Sequence, residues 1–334
     1  MKKSLIALAV LAASGAAMAQ SSVTLYGIAD VWVGSVDTDP GSSTTKMVSG
    51  GVSTSRWGMK GSEVLGGGLK AEFQFEQGVN VDDGTVGSGF NRQAWAGLAG
   101  GFGSIRFGLN STPYDDFAAG AHGAFDSDLA PMNLAFYGID SKGNPEVGMA
   151  STKYYGKVAN SIKYISPNMG GLQGAFLYAL DEKSTAQREV MSLAINYAGG
   201  PLGAYLTYQQ EEYYNASFDT TFVKGGASYN FGMATVKGYL AQISDLKTKG
   251  ADVDEWQIAV DVPLSSAMTL SGSYAMADYK NNMETSGFGV ALAYSLSKRT
   301  TLYAGFGMTT ADFDAAGKVD QDVNAYAVGV KHTF

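Results

Sequence analysis

Phe288-Gly289-Val290-Ala291-Leu292-Ala293-Tyr294-Ser295-Leu296 sets a large apolar side chain at every second position, with Gly, Ala or Ser between. A period of two places the bulky set on one face of a strand and the small set on the other. The pattern recurs along the chain. Trp256, Ile258, Val260 and Val262 alternate with Glu255, Gln257 and Asp261, and Met268, Leu270, Tyr274 and Met276 with Thr269, Ser271 and Ser273. Val236 and Leu240 alternate with Lys237 and Tyr239, and Leu69, Ala71, Phe73 and Phe75 with Lys70, Glu72, Gln74 and Glu76. In every case one face is greasy and the other is small, polar or charged.

About sixteen such runs follow one another. They start near Val23, Thr54, Gly68, Asn91, Gly103, Tyr154, Gly171, Glu189, Pro201, Thr221, Met233, Asp254, Ala267, Thr285, Thr300 and Gln321. Short connectors such as Gly199-Gly200, Phe231-Gly232 and Pro263-Leu264-Ser265 alternate with long, polar, acidic ones such as 37–53, 80–89 and 244–253. A soluble β-sandwich also alternates, but it buries its apolar face on a second sheet and rarely needs so many strands. Bilayer hydrocarbon offers no hydrogen-bond partners, so a sheet survives there only when it closes on itself and turns its apolar face outward. The expected fold is therefore all-β: a 16-stranded antiparallel transmembrane β-barrel with short periplasmic turns and long extracellular loops.

Residues 1–19 are read apart from this fold. Lys2-Lys3, an apolar run from Leu5 to Ala13 and Ala17-Met18-Ala19 form the basic, apolar and A-x-A parts of an export signal, with cleavage expected after Ala19. The barrel domain is then 20–334. The 334-residue chain carries 23 Lys and Arg against 31 Asp and Glu; losing Lys2 and Lys3 gives 21 − 31 = −10. With no Cys and two His, a disulfide scaffold or thiolate metal site is excluded and a histidine metal cluster is not expected. His122 and His332 read as polar surface residues. The absence of a basic excess argues against nucleic acid as a partner. No GxSxG, GxGxxG, Walker or HExxH motif is present, so neither a cofactor nor catalysis is expected.

Strand number sets barrel diameter, and about sixteen strands leave an aqueous channel. What narrows that channel then decides function. The third long loop, about 110–150, holds Ser111-Thr112-Pro113-Tyr114-Asp115-Asp116-Phe117, then Asp126 and Asp128, with Leu129, Met132, Leu134 and Phe136 as apolar docking residues. An insertion of this length is usually functional, and this one is expected to fold inward as a constriction. Parity assigns the wall. Trp57 and Met59 face lipid, which turns Arg56 and Lys60 inward; Arg106 lies opposite Ile105 and Phe107. Lys153, Lys157 and Lys163 share a parity opposite Val158, Ile162 and Tyr164, and Arg92 goes inward because an Arg on the lipid face costs about 2–4 kcal/mol. Basic wall residues facing Asp115, Asp116, Asp126 and Asp128 would set a field across the pore, and charged rings set ion selectivity. Acidic outer loops lie beyond the roughly 8–10 Å Debye length, so the wall should dominate and give a weak anion preference.

Several stretches resemble the Gram-negative general porins of the betaproteobacterial and neisserial type. They are Val23-Thr24-Leu25-Tyr26-Gly27-Ile28-Ala29-Asp30, Ser55-Arg56-Trp57-Gly58-Met59-Lys60-Gly61-Ser62-Glu63, Asn91-Arg92-Gln93-Ala94-Trp95-Ala96-Gly97-Leu98 and Gly101-Phe102-Gly103-Ser104-Ile105-Arg106-Phe107-Gly108. Asn160-Ser161-Ile162-Lys163-Tyr164 and the ending Val328-Gly329-Val330-Lys331-His332-Thr333-Phe334 add to them. The resemblance implies a homotrimer in the outer membrane, surrounded by lipid and lipopolysaccharide, with the third loop folded into each pore and small hydrophilic solutes diffusing passively. It places Arg56 and Arg92 on the family's basic wall positions, and leaves Lys153 and Lys157 as candidates for a third. Lys163 stands where Arg is common. Phe334 resembles the terminal aromatic read by the barrel-assembly machinery. Two rival readings are a substrate-specific channel for small anionic solutes and an outer-membrane barrel enzyme, for which no local motif exists.

Overall fold

A computed structural model describes residues 22–38, 42–117, 154–180, 187–213, 218–246, 249–280, 283–313 and 321–334. The strands in chain order are β1 (Ser22–Thr38), β2 (Ser42–Ser49), β3 (Arg56–Gly66), β4 (Leu69–Gly78), β5 (Gln93–Gly100) and β6 (Gly103–Ser111). A single helical turn, α1 (Pro113–Asp116), precedes β7 (Lys157–Ile165), β8 (Leu172–Ala179), β9 (Gln187–Gly199), β10 (Leu202–Tyr213), β11 (Asp219–Asn230) and β12 (Thr235–Ser244). The series ends with β13 (Val253–Pro263), β14 (Met268–Tyr279), β15 (Met283–Ser295), β16 (Thr300–Phe313) and β17 (Gln321–Thr333).

Every neighbouring pair is antiparallel, and β1 closes the ring by pairing with β17 from Ile28↔Thr333 to Thr38↔Val323. The other edge of β1 is shared. Ser22–Ile28 pairs with β3, and Val31–Thr38 pairs with β2. The 17 strand segments therefore fill 16 positions around the barrel, with β2 and β3 end to end. Sixteen segments begin within three residues of the starts read from alternation; β2 is the addition. Residues 37–53, expected to be a long loop, are mostly strand. Ser42-Ser43-Thr44-Thr45 is polar on both faces and carries no lipid-facing alternation, yet its backbone still completes the ladder to β1.

The greasy face points outward. On β12, Leu240 is 72% exposed while its neighbour Tyr239 is 4% exposed on the lumenal side. The short turns close where glycine can take a left-handed backbone, as at Gly200 (φ 57°) and Gly232 (φ 84°). Parity fails once on the lumenal wall. Val158, expected beside Ile162 and Tyr164 on the lipid face, is fully buried with Leu177, Ala179 and Val190. The cause is a bulge: the β6–β7 register shifts between Gly108 and Asn110, and Asn160 sits at φ 51°. The extra residue turns Val158 inward, while Lys157 at the start of β7 still reaches Asp115.

Phe334 fastens the seam. Its N–H donates to the Gly27 carbonyl and its own carbonyl accepts from the Gly27 N–H, both at 3.1 Å. Its ring lies over Gly27 on the outer face, where a Cβ would stand 2.3 Å from the Phe334 ring and 2.8 Å from the Arg56 carbonyl oxygen. Gly27→Val should therefore push the terminal ring off the seam at about 1–3 kcal/mol. The folded band on unboiled gels should convert to the unfolded band at a lower temperature, with no change expected for Gly101→Ala, whose Cβ would meet open space.

Candidate functional site

Two clusters of charge line the lumen of the β3–β7 wall. The first centres on Glu76 of β4, which is 7% exposed. Arg92 donates from Nε to Glu76 Oε1 at 2.8 Å, and Arg56 Nε lies 3.8 Å from Glu76 Oε2. The Tyr26 hydroxyl donates to Oε2 at 2.8 Å and itself accepts from Gln74 Nε2 at 2.6 Å. Lys60 Nζ sits 5.3 Å from the centre of the Tyr26 ring. Arg56 and Lys60 reach this cluster by strand alternation. Arg92 reaches it differently: it precedes β5 at a bend, where its backbone N–H also bonds to the Glu76 carbonyl at 3.1 Å. That bend is why Arg92 and Gln93 can both be polar.

The second cluster gathers around α1. Thr112 caps the turn, its side chain accepting from the Asp115 N–H, and Pro113 opens it. The turn presents Asp115 and Asp116 to the wall. Lys157 Nζ is 3.5 Å from Asp115 Oδ2, and the fully buried Lys163 bonds Asp116 and, at 2.9 Å, the Ser111 carbonyl. Arg106 lies directly across from Lys163 in the β6–β7 ladder, so two like charges face each other. Such a pair is destabilising without a counter-charge. Asp116 supplies one to Lys163, and Arg106 stacks its guanidinium 4.2 Å from the centre of the Trp95 ring. Lys153, Asp126 and Asp128 lie outside the described residues.

The stems of the third loop, 112–117 and 154–156, lie inside the barrel. The Tyr114 N–H donates to Ser192 Oγ at 3.0 Å, the Tyr155 N–H to Glu211 Oε1 at 2.6 Å, and the Tyr154 hydroxyl to Asp115 Oδ1 at 2.9 Å. Ser192 and Glu211 belong to the lumenal faces of β9 and β10, as their buried positions beside outward Leu193 and partly exposed Gln210 show. Lys224 of β11, which alternation places inward but no motif singles out, is buried against these stems.

Asp30 of β1 likewise has a role that no motif assigns to it. It is fully buried and accepts from the N–H groups of Gly51, Val52 and Ser53 at 2.9–3.1 Å and from the Tyr303 hydroxyl at 2.6 Å. The Ser55 hydroxyl donates to the Asp30 carbonyl at 2.8 Å. These bonds fold the link between β2 and β3 and deliver Arg56 to Glu76. The clues in the sequence are its place in the first alternating run and at the end of the Val23–Asp30 stretch that resembles the porins. In the exposed loop after β4, the Thr85 N–H and hydroxyl both donate to Asp83, which lowers its pKa and keeps that rim charge ionised.

Comparison with known proteins sets this geometry in context. The family model of Gram-negative porins matches residues 5–315. Outer membrane porin protein 32 of Delftia acidovorans is 36% identical over 368 aligned positions, covering 100% of both chains. The major outer membrane protein P.IB of Neisseria gonorrhoeae is 36% identical over 203 positions, 59% of this chain and 53% of the relative. Among solved structures, the anion-selective porin from Comamonas acidovorans superposes with a TM-score of 0.79 at 28% identity, over 94% of this chain and 100% of that one.

Removing the Asp30 carboxylate strands four donors at once, and each buried unsatisfied group costs about 1–3 kcal/mol. Asp30→Ala should therefore lower the urea midpoint of the refolded barrel in vesicles, whereas Asp83→Ala on the exposed rim should leave it within error.

Proposed function

This chain belongs to the Gram-negative porin family, and we propose that its outer-membrane pore, which passes small hydrophilic solutes by passive diffusion, weakly prefers anions and operates as a homotrimer. Residues 1–19 are the cleaved export signal, and Phe334 is the assembly signal for the barrel-assembly machinery. Arg56, Lys60, Arg92, Arg106, Lys157 and Lys163 form the basic wall of the constriction, and Asp115 and Asp116 its facing acids.

The observation that carries the anion preference is the Glu76 hub. Two arginines converge on one carboxylate, so this trio keeps one net positive charge after pairing, and Lys60 beside Tyr26 adds a further cation. The acids on α1 are in turn engaged by Lys157 and Lys163, which leaves neither sign in large excess there. A partly compensated cation cluster attracts anions without holding them, because conduction requires binding weak enough to leave. The similar anion-selective porin from Comamonas acidovorans supports the same sign of preference.

Reversal potentials across a salt gradient in planar bilayers test this reading. Replacing Arg56 and Arg92 together by Ser should lower the anion-to-cation permeability ratio severalfold, because Glu76 is then left uncompensated. Glu76→Gln should raise the ratio. Unchanged potentials in both variants would remove this cluster from the conduction path.

A further inference from the structure

We propose that Lys224 is a positioning residue: its ammonium, held over the rings of Tyr114 and Tyr154, latches both stems of the third loop to the β11–β12 wall and so keeps the α1 carboxylates in place. Lys224 Nζ lies 4.4 Å from the centre of the Tyr114 ring and 5.3 Å from those of Tyr154 and Tyr239. Tyr114 belongs to the outgoing stem, Tyr154 to the returning one and Tyr239 to the wall. One cation thus touches three chain segments that are distant in sequence. Tyr114 and Tyr154 also meet edge to face at 4.7 Å, and both contact Phe222 of the wall at about 6 Å.

The burial of the charge gives the contact its strength. Lys224 is 3% exposed. An ammonium out of water gains more from an aromatic face than a solvated one, and the Glu255 and Asp115 carboxylates add Coulombic support for its charge. The latch reaches the α1 acids through the stems: Tyr154 bonds Asp115, which pairs with Lys157, and the next residue, Asp116, pairs with Lys163. Releasing the stems would disengage both acids from the wall.

The natural absence of cysteine allows a direct readout. Phe117→Cys, at the end of α1, places a single thiol whose modification by a charged, membrane-impermeant reagent reports stem release in the full-length channel. Adding Lys224→Met should speed modification roughly thirtyfold, the equilibrium shift expected for losing a desolvated cation–π contact. Lys224→Arg, which keeps a cation over the rings, should retain the slow rate. Tyr114 and Tyr154 replaced together by Phe should stay slow, and replaced by Leu should become fast, so the test stands even if Lys224→Met fails to fold. Open-channel current noise should rise in the fast variants only. Equal rates in the folded Lys224→Met and Leu variants and the parent would overturn the latch. A cation preference that grows in Lys224→Met with no change in rate or noise would do the same, because it would mean that the charge acts on ions directly. The outcome is independent of the anion preference proposed above, since a non-selective pore would give the same rates.

Discussion

The whole structure depends on where its backbone hydrogen bonds can go. A strand in hydrocarbon has no water to satisfy an unpaired N–H or carbonyl, and each unsatisfied group costs several kcal/mol. The ring must therefore have no free edge. The β1–β17 ladder supplies the closure, and the reciprocal Gly27–Phe334 bonds extend it to the last residue. β2 and β3 follow the same demand. Where the chain breaks between them, the Gly51, Val52 and Ser53 N–H groups turn inward to the Asp30 carboxylate. A side chain thus takes up the pairing that the interrupted ladder gives up.

Closure also inverts the usual placement of polarity. The apolar face is spent on lipid, so the interior is built from charge and hydrogen bonds. Charges enclosed there are stable when paired. Glu76 gathers Arg56, Arg92 and Tyr26, and α1 brings Asp115 and Asp116 to Lys157 and Lys163. The interactions that hold the wall together are those that set its field on passing ions. Stability and selectivity therefore share residues, and the small imbalance left over after pairing decides the sign of selectivity.

Strand positions were legible because the bilayer imposes period two on every lipid-facing segment. Sixteen starts, the outward set on β12–β15 and the inward turn of Arg56, Lys60 and Arg106 all follow from it. The misreadings come where that demand lapses. Near its start β2 carries Ser43-Thr44-Thr45, which shows no apolar alternation, and the bulge at Asn160 carries Val158 inward against its parity. Arg92 reaches Glu76 from a bend, where alternation carries no information.

Amphipathic alternation and turn length are local properties, and the sequence by itself determined them: a lipid-facing, many-stranded barrel with an inward set of bases. Which of those bases meet the same acid was decided by tertiary structure alone. Glu76, Asp30 and Lys224 acquire their roles from partners 15 to 273 positions away along the chain, such as Tyr239 and Tyr303. Closing the ring fixes those distances, and no local pattern encodes them.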